Sequence, residues 1–96
     1  MAVYEMTSLL DEIHSLIAAP TVERDHVERT LTDGYAHALS LETERMRLEK
    51  RLNEIMQGNS AEKAQELTAL AKHIDGNAGE LSRLRDVLAQ LKRRTA

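Results

Sequence analysis

The chain of 96 residues has no Cys, Trp or Phe, two Tyr and one Pro, with 42% of its residues apolar and 30% charged. That composition excludes a disulfide-stapled scaffold, a Cys-held zinc module and a core built on aromatic rings. Sixteen acidic against thirteen basic side chains leave a net charge of −3, too small to nominate a polyanion or an anionic membrane surface as default partner.

The charge is graded, from −3 over residues 1–20 through −2 over 21–58 to +2 over 59–96. No apolar run approaches the roughly 20 residues that span a bilayer, and no charged stretch precedes an apolar one as in a secretory signal. These features lead to the expectation of a soluble, cytoplasmic protein without a membrane partner. A single domain over 1–96 buries only a modest fraction of its surface alone, so help from a partner is expected.

The first predicted element is an amphipathic helix over about residues 3–18. Val3, Met6, Leu10, Ile13 and Ile17 recur at steps of three and four, and Leu9 and Leu16 widen the stripe. Ser8-Leu9-Leu10-Asp11 has the form of a capping box and offers a later start. Pro20 then marks the boundary to a second helix.

Over about residues 21–56 the apolar spacing becomes a heptad: Val27, Leu31, Gly34, Ala38, Leu41, Arg45, Leu48, Leu52 and Ile55 alternate steps of four and three. Gln57-Gly58-Asn59-Ser60 interrupts it, and Glu62 stands three residues beyond Asn59 as in a capping box, so a turn is expected at 57–60. A third helix follows over about 60–94. Its seam is Leu67, Leu70, Ile74, Asn77, Leu81, Leu84, Leu88 and Leu91, polar only at Asn77. By composition Asp33-Gly34 and Asp75-Gly76-Asn77-Ala78-Gly79 read as turns. The seam keeps its phase across both, which predicts unbroken helices of roughly 50 Å each at 1.5 Å per residue.

The expected fold is therefore all-α: a long, antiparallel, coiled-coil-like helical hairpin with a short N-terminal helix packed along it, assembled as a dimeric helical bundle. A tight turn with Ile55 opposite Ser60 sets Leu41 against Ile74, Ala38 against Asn77, Gly34 against Leu81 and His73 level with Glu42. In that register Gly34, Gly76 and Gly79 share one level. Each interior helix Gly costs about 1 kcal/mol relative to Ala, so the level should demand small residues, for close approach of another helix or for a ligand notch. Gly34, Gly76, Gly79 and Asn77 are thus candidates for a ligand-binding or register-setting role.

The titratable residues suggest little chemistry. His14, His26, His37 and His73 are expected to be solvated or to flank the seam, with His26 pointing outward. Asp11 with His14, and Glu23 with His26, stand at i and i+3 as in di-iron carboxylate bundles, which need further inward Glu on other helices. No Glu occupies a seam position, so neither a metal nor any other cofactor is expected. Arg24 and Arg45 fall at seam positions, where a buried guanidinium must be paired. Arg45 can snorkel to Glu42 or Glu49, fix register, or hold an acidic ligand. Nucleic acid is not an expected partner, because Arg83, Arg85, Lys92, Arg93 and Arg94 are diluted by Glu80 and Asp86 and have no aromatic neighbours for base stacking. Cations in the last turn also complement a helix C-terminus.

A second partial stripe, of Tyr35, Leu39, Met46 and Met56 on the second helix with Val87 on the third, would be left wet by a monomer. Dimerisation through it would cover it. The functional expectation is a non-catalytic interaction protein, a homodimeric adaptor, regulator or small structural subunit that binds itself and another protein. The competing expectation is a small helical-bundle enzyme or anionic-ligand binder that uses Arg24 and Arg45.

Overall fold

A computed structural model describes residues 6–58 and 63–94. Among them are three helices, α1 (Met6–Ala18), α2 (Arg24–Met56) and α3 (Lys63–Arg93), and no strand. The protein is all-α, and α2 packs against α3 as a helical hairpin accompanied by the short α1. Val3, Asn59, Ser60 and Glu62, which entered the expected helix start and turn, lie outside the described residues.

Both long helices run without a break through their Asp-Gly pairs, and no described glycine has a positive φ. The heptad explains why: leaving the helix at either place would strand the apolar positions beyond it off the seam. Asp25 in the first turn of α2, and Lys92 and Arg93 in the last turn of α3, carry the charges that a helix dipole favours there. At the end of α2 the Gly58 N–H donates to Ile55 O at 3.0 Å, tightening the final turn.

The chain divides into two compact units, Met1–Ala38 with Arg83–Ala96, and Leu39–Ser82. In the first, three helical segments surround one core. Leu9, Ile13 and Leu16 of α1 are buried with Val27, Leu31 and Ala38 of α2 and with Leu84, Val87, Leu88 and Leu91 of α3. Thr30 is buried as well, and its hydroxyl donates to Glu12 Oε1 at 3.2 Å, so α1 lies over the edge that carries Thr30. Beyond α1, the Ala19 carbonyl accepts from Arg94 Nη2. The C-terminal cation thus satisfies a carbonyl just past the end of α1, as well as standing near the end of its own helix.

The described residues of the second unit form two helical segments, and its seam is thinner. Leu41, Ile55 and Leu81 are buried, whereas Leu48, Leu52, Leu67, Leu70 and Ile74 are half-buried. A helix pair covers each apolar stripe from one side only, while a third element closes the seam in the first unit.

The register departs from the one that a tight turn sets. Arg51 pairs with Glu66 at 2.9 Å where that turn would place it opposite Ala64, His73 meets Glu44 at 3.4 Å rather than Glu42, and Asn77 reaches Leu41 rather than Ala38. The displacement is about two to three residues. In the first unit Gly34 lies under Leu88, not Leu81. Long side chains on a helix lean toward its N-terminus, so Leu88 covers a level preceding its own Cα.

Candidate functional site

The second unit presents two unlike edges. On one, residues directly preceding seam positions meet across the hairpin: Arg51 Nη2 lies 2.9 Å from Glu66 Oε1, and His73 Nε2 lies 3.4 Å from Glu44 Oε1. Beside them a recess is lined by Leu41, Glu44, Lys72, His73, Gly76, Asn77 and Glu80. Asn77 is 4% exposed; its Nδ2 donates to Leu41 O at 2.9 Å, while its buried Oδ1 has no partner among the described residues. A buried carbonyl without a hydrogen bond costs about 1–3 kcal/mol, which the Nδ2 bond to Leu41 O offsets only in part. A buried seam Asn penalises every register in which its amide loses the partner carbonyl.

The other edge is apolar and uncovered. Leu39, Met46 and Met56 are 63%, 70% and 64% exposed. They share one line along α2 with Glu42, Glu49 and Asn53, following the same alternation of three and four as the seam. Tyr35, which belongs to the first unit, is also exposed.

Val87 is not part of an exposed stripe. It is 5% exposed, packed into the core of the first unit, and this corrects its assignment to a dimer interface. The reason is the position of α1: Val87 precedes the seam residue Leu88 as Thr30 precedes Leu31, and both positions are buried in the unit that α1 completes.

Arg24 and Arg45 are not buried in the seam. The Arg24 side chain is 77% exposed and its Nε donates to Glu28 Oε1 at 3.0 Å; that of Arg45 is 43% exposed and lies 3.8 Å from Glu49 Oε1. Arg45 snorkels to Glu49, one of its two expected partners. Both pairs run along one helix between exposed groups, an arrangement worth about 0.3–0.5 kcal/mol.

The glycines divide. A Cβ at Gly34 would overlap Leu88, with Cδ1 and Cγ both at 3.3 Å, so this position does require a small residue. Gly76 and Gly79 would meet nothing within 4 Å. Close helix approach within the chain therefore accounts for Gly34 alone.

One constellation escapes sequence reasoning. Glu12 Oε1 on α1 is shared by His26 Nε2 at 3.0 Å and by the Thr30 hydroxyl at 3.2 Å. His26 thus points at α1 rather than outward. Its signal in the sequence is faint: His26 and Thr30 stand one turn apart on α2, but nothing local says which edge of the hairpin α1 covers. The arrangement holds a helix in place and has no nucleophile activated by a buried base. Among the described residues no group of three or more His, Cys, Asp or Glu is placed to hold a metal ion, and no helix is long and apolar enough to cross a membrane.

Comparison with family models, with curated proteins and with solved structures finds no match.

Proposed function

We propose that the protein is a non-catalytic interaction module that works as a homodimer in the cytoplasm, an adaptor, regulator or small structural subunit that presents its helix faces to a further protein. One observation carries this reading: in Leu39–Ser82 three large apolar side chains are about two-thirds exposed beside a partly half-buried leucine seam.

Burying a Leu or Met fully is worth about 1.5–3 kcal/mol, so the exposed part of each offers roughly 1–2 kcal/mol. Six such side chains across two copies supply on the order of 6–12 kcal/mol, before the half-wet seam residues are added. Association itself costs roughly 4–15 kcal/mol. The favourable end of that balance, roughly 8 kcal/mol, corresponds to a Kd of about 1 µM, so this burial supports a reversible dimer no tighter than micromolar. Sedimentation velocity between 1 and 100 µM should show a monomer–dimer equilibrium, and a stable monomer throughout would refute the proposal.

A further inference from the structure

We infer that the recess on the charged edge of Leu39–Ser82 binds a short amino acid, a zwitterion that carries one ammonium and one carboxylate. The recess lies on the edge opposite the exposed Leu39, Met46 and Met56, so its occupancy is independent of the homodimer proposed above.

Asn77 forms part of the wall. Its Nδ2 is engaged by Leu41 O at 2.9 Å, and its Oδ1, shut off from bulk solvent, has no donor among the described residues. An amide carbonyl that no N–H or O–H answers leaves the negative end of its dipole uncompensated in a setting of low dielectric. That wall therefore favours a positive group, and a compact cation that also brings donors is an ammonium.

The charged lining separates into one closed pair and two open groups. Glu44 Oε1 and His73 Nε2 lie 3.4 Å apart and answer each other. Lys72 and Glu80 have no ion-pair or hydrogen-bond partner among the described residues. They stand eight residues apart on α3, about 12 Å of helical rise, with Asn77 between them. An ammonium placed between Asn77 and Glu80 is met by two acceptors, and a carboxylate directed toward Lys72 is met by a cation. A ligand with only one of the two charges leaves Lys72 or Glu80 unanswered. A plain anion also sets its own oxygens against the Asn77 carbonyl.

Space sets the size. The recess has a volume of about 210 Å³. At the ~30 Å³ that a water takes in the liquid, it holds roughly seven non-hydrogen atoms, which admits a short amino acid and excludes a nucleotide. Gly76 supplies part of this room, since a Cβ there would meet nothing within 4 Å. Leu41 adds an apolar wall for the ligand's carbon chain.

The full chain titrated with 4-aminobutanoate and with L-alanine, followed by amide NMR, distinguishes a ligand with distant charges from one with adjacent charges. Saturable shifts of the Gly76 and Asn77 signals are expected for at least one of them, with a Kd on the order of 1 mM. Butylamine and butanoate, each with one of the two charges, should bind at least tenfold more weakly. Gly76→Ala should weaken binding at least fivefold while the chain keeps or gains thermal stability, and Gly79→Ala, outside the recess, should leave binding unchanged. Lys72→Gln and Glu80→Gln should each weaken it, and Asn77→Leu should abolish it. The proposal is overturned by the absence of a saturable shift up to about 20 mM, well above that Kd. Butanoate or butylamine bound as tightly as the amino acids, or full binding by Gly76→Ala, would overturn it as well.

Discussion

The three glycines inside α2 and α3 should respond to alanine with opposite signs. None of Gly34, Gly76 and Gly79 has a positive φ, so each accepts an L side chain without backbone strain, and each exchange recovers about 1 kcal/mol of helix propensity. At Gly76 and Gly79 nothing opposes that gain, because an ideal Cβ there meets no atom within 4 Å. The double variant should be about 2 kcal/mol more stable, which for a domain of this size raises Tm by roughly 8–16 °C. At Gly34 the new methyl overlaps Leu88, whose side chain is 2% exposed and hemmed in by its own neighbours. Overpacking of that kind costs about 1–3 kcal/mol, so Gly34→Ala should end near zero or up to ~2 kcal/mol destabilised once the ~1 kcal/mol propensity gain is subtracted. Thermal and urea unfolding followed by circular dichroism, at one fixed protein concentration because dimerisation shifts Tm, measures all three. Equal stabilisation at Gly34 and Gly76 would refute the packing argument. A loss at Gly76 or Gly79 would mean that the face they leave open is occupied.

Two further substitutions probe polar groups inside the helices' packing. Asn77→Leu removes an unpartnered buried Oδ1 and leaves Leu41 O within α2, so it should stabilise by about 1 kcal/mol in urea unfolding. It should also broaden the distance distribution between spin labels at Arg51→Cys and Glu66→Cys, and a loss above ~1 kcal/mol would contradict a register role for Asn77. Glu12→Ala strips His26 and Thr30 of their shared acceptor and should cost about 1–2 kcal/mol. A double-mutant cycle with His26→Ala should return only ~0.5–1 kcal/mol of coupling, because that pair is part-exposed, and faster amide exchange across α1 should accompany the loss; unchanged exchange would show that Glu12 does not hold α1.

The seam was legible because periodicity is a global signal. A breaker such as Asp75-Gly76 is a local one, and the phase of the leucines on both sides outweighs it. Register was less legible, since periodicity alone does not set it: Arg51 pairs with Glu66 and Asn77 reaches Leu41, two to three residues from the pairing that a tight turn gives. Leu39, Met46 and Met56 were legible as exposed because their heptad positions point away from the hairpin partner. Val87 and Arg45 were not, for a common reason. Each flanks or occupies the seam, and whether such a position is buried depends on a third element, which sequence spacing does not place. Over Val87 that element is present; beside Arg45 the seam is open, and the guanidinium turns to Glu49 instead of entering a core.

This dependence on a third element links the fold to the proposed function. Two helices with an a/d stripe each hide that stripe on the facing side alone, and Leu48, Leu52, Leu67, Leu70 and Ile74 show the result, each half-buried. A core that needs more cover can recruit it from the same chain, as α1 supplies in the first unit, or from outside. The composition makes the second route effective. Without Phe or Trp, no single side chain spans enough surface to close the gap, so cover must come as a whole helix face. The residues that flank the thin seam fit that requirement: flexible Met and Leu on one helix, Ala on the other. Met46 and Met56 can adapt to the relief of an incoming helix at low cost, as thioether side chains do at interfaces. The chemistry that leaves Leu39–Ser82 incompletely buried on its own is thus also what makes it suited to association.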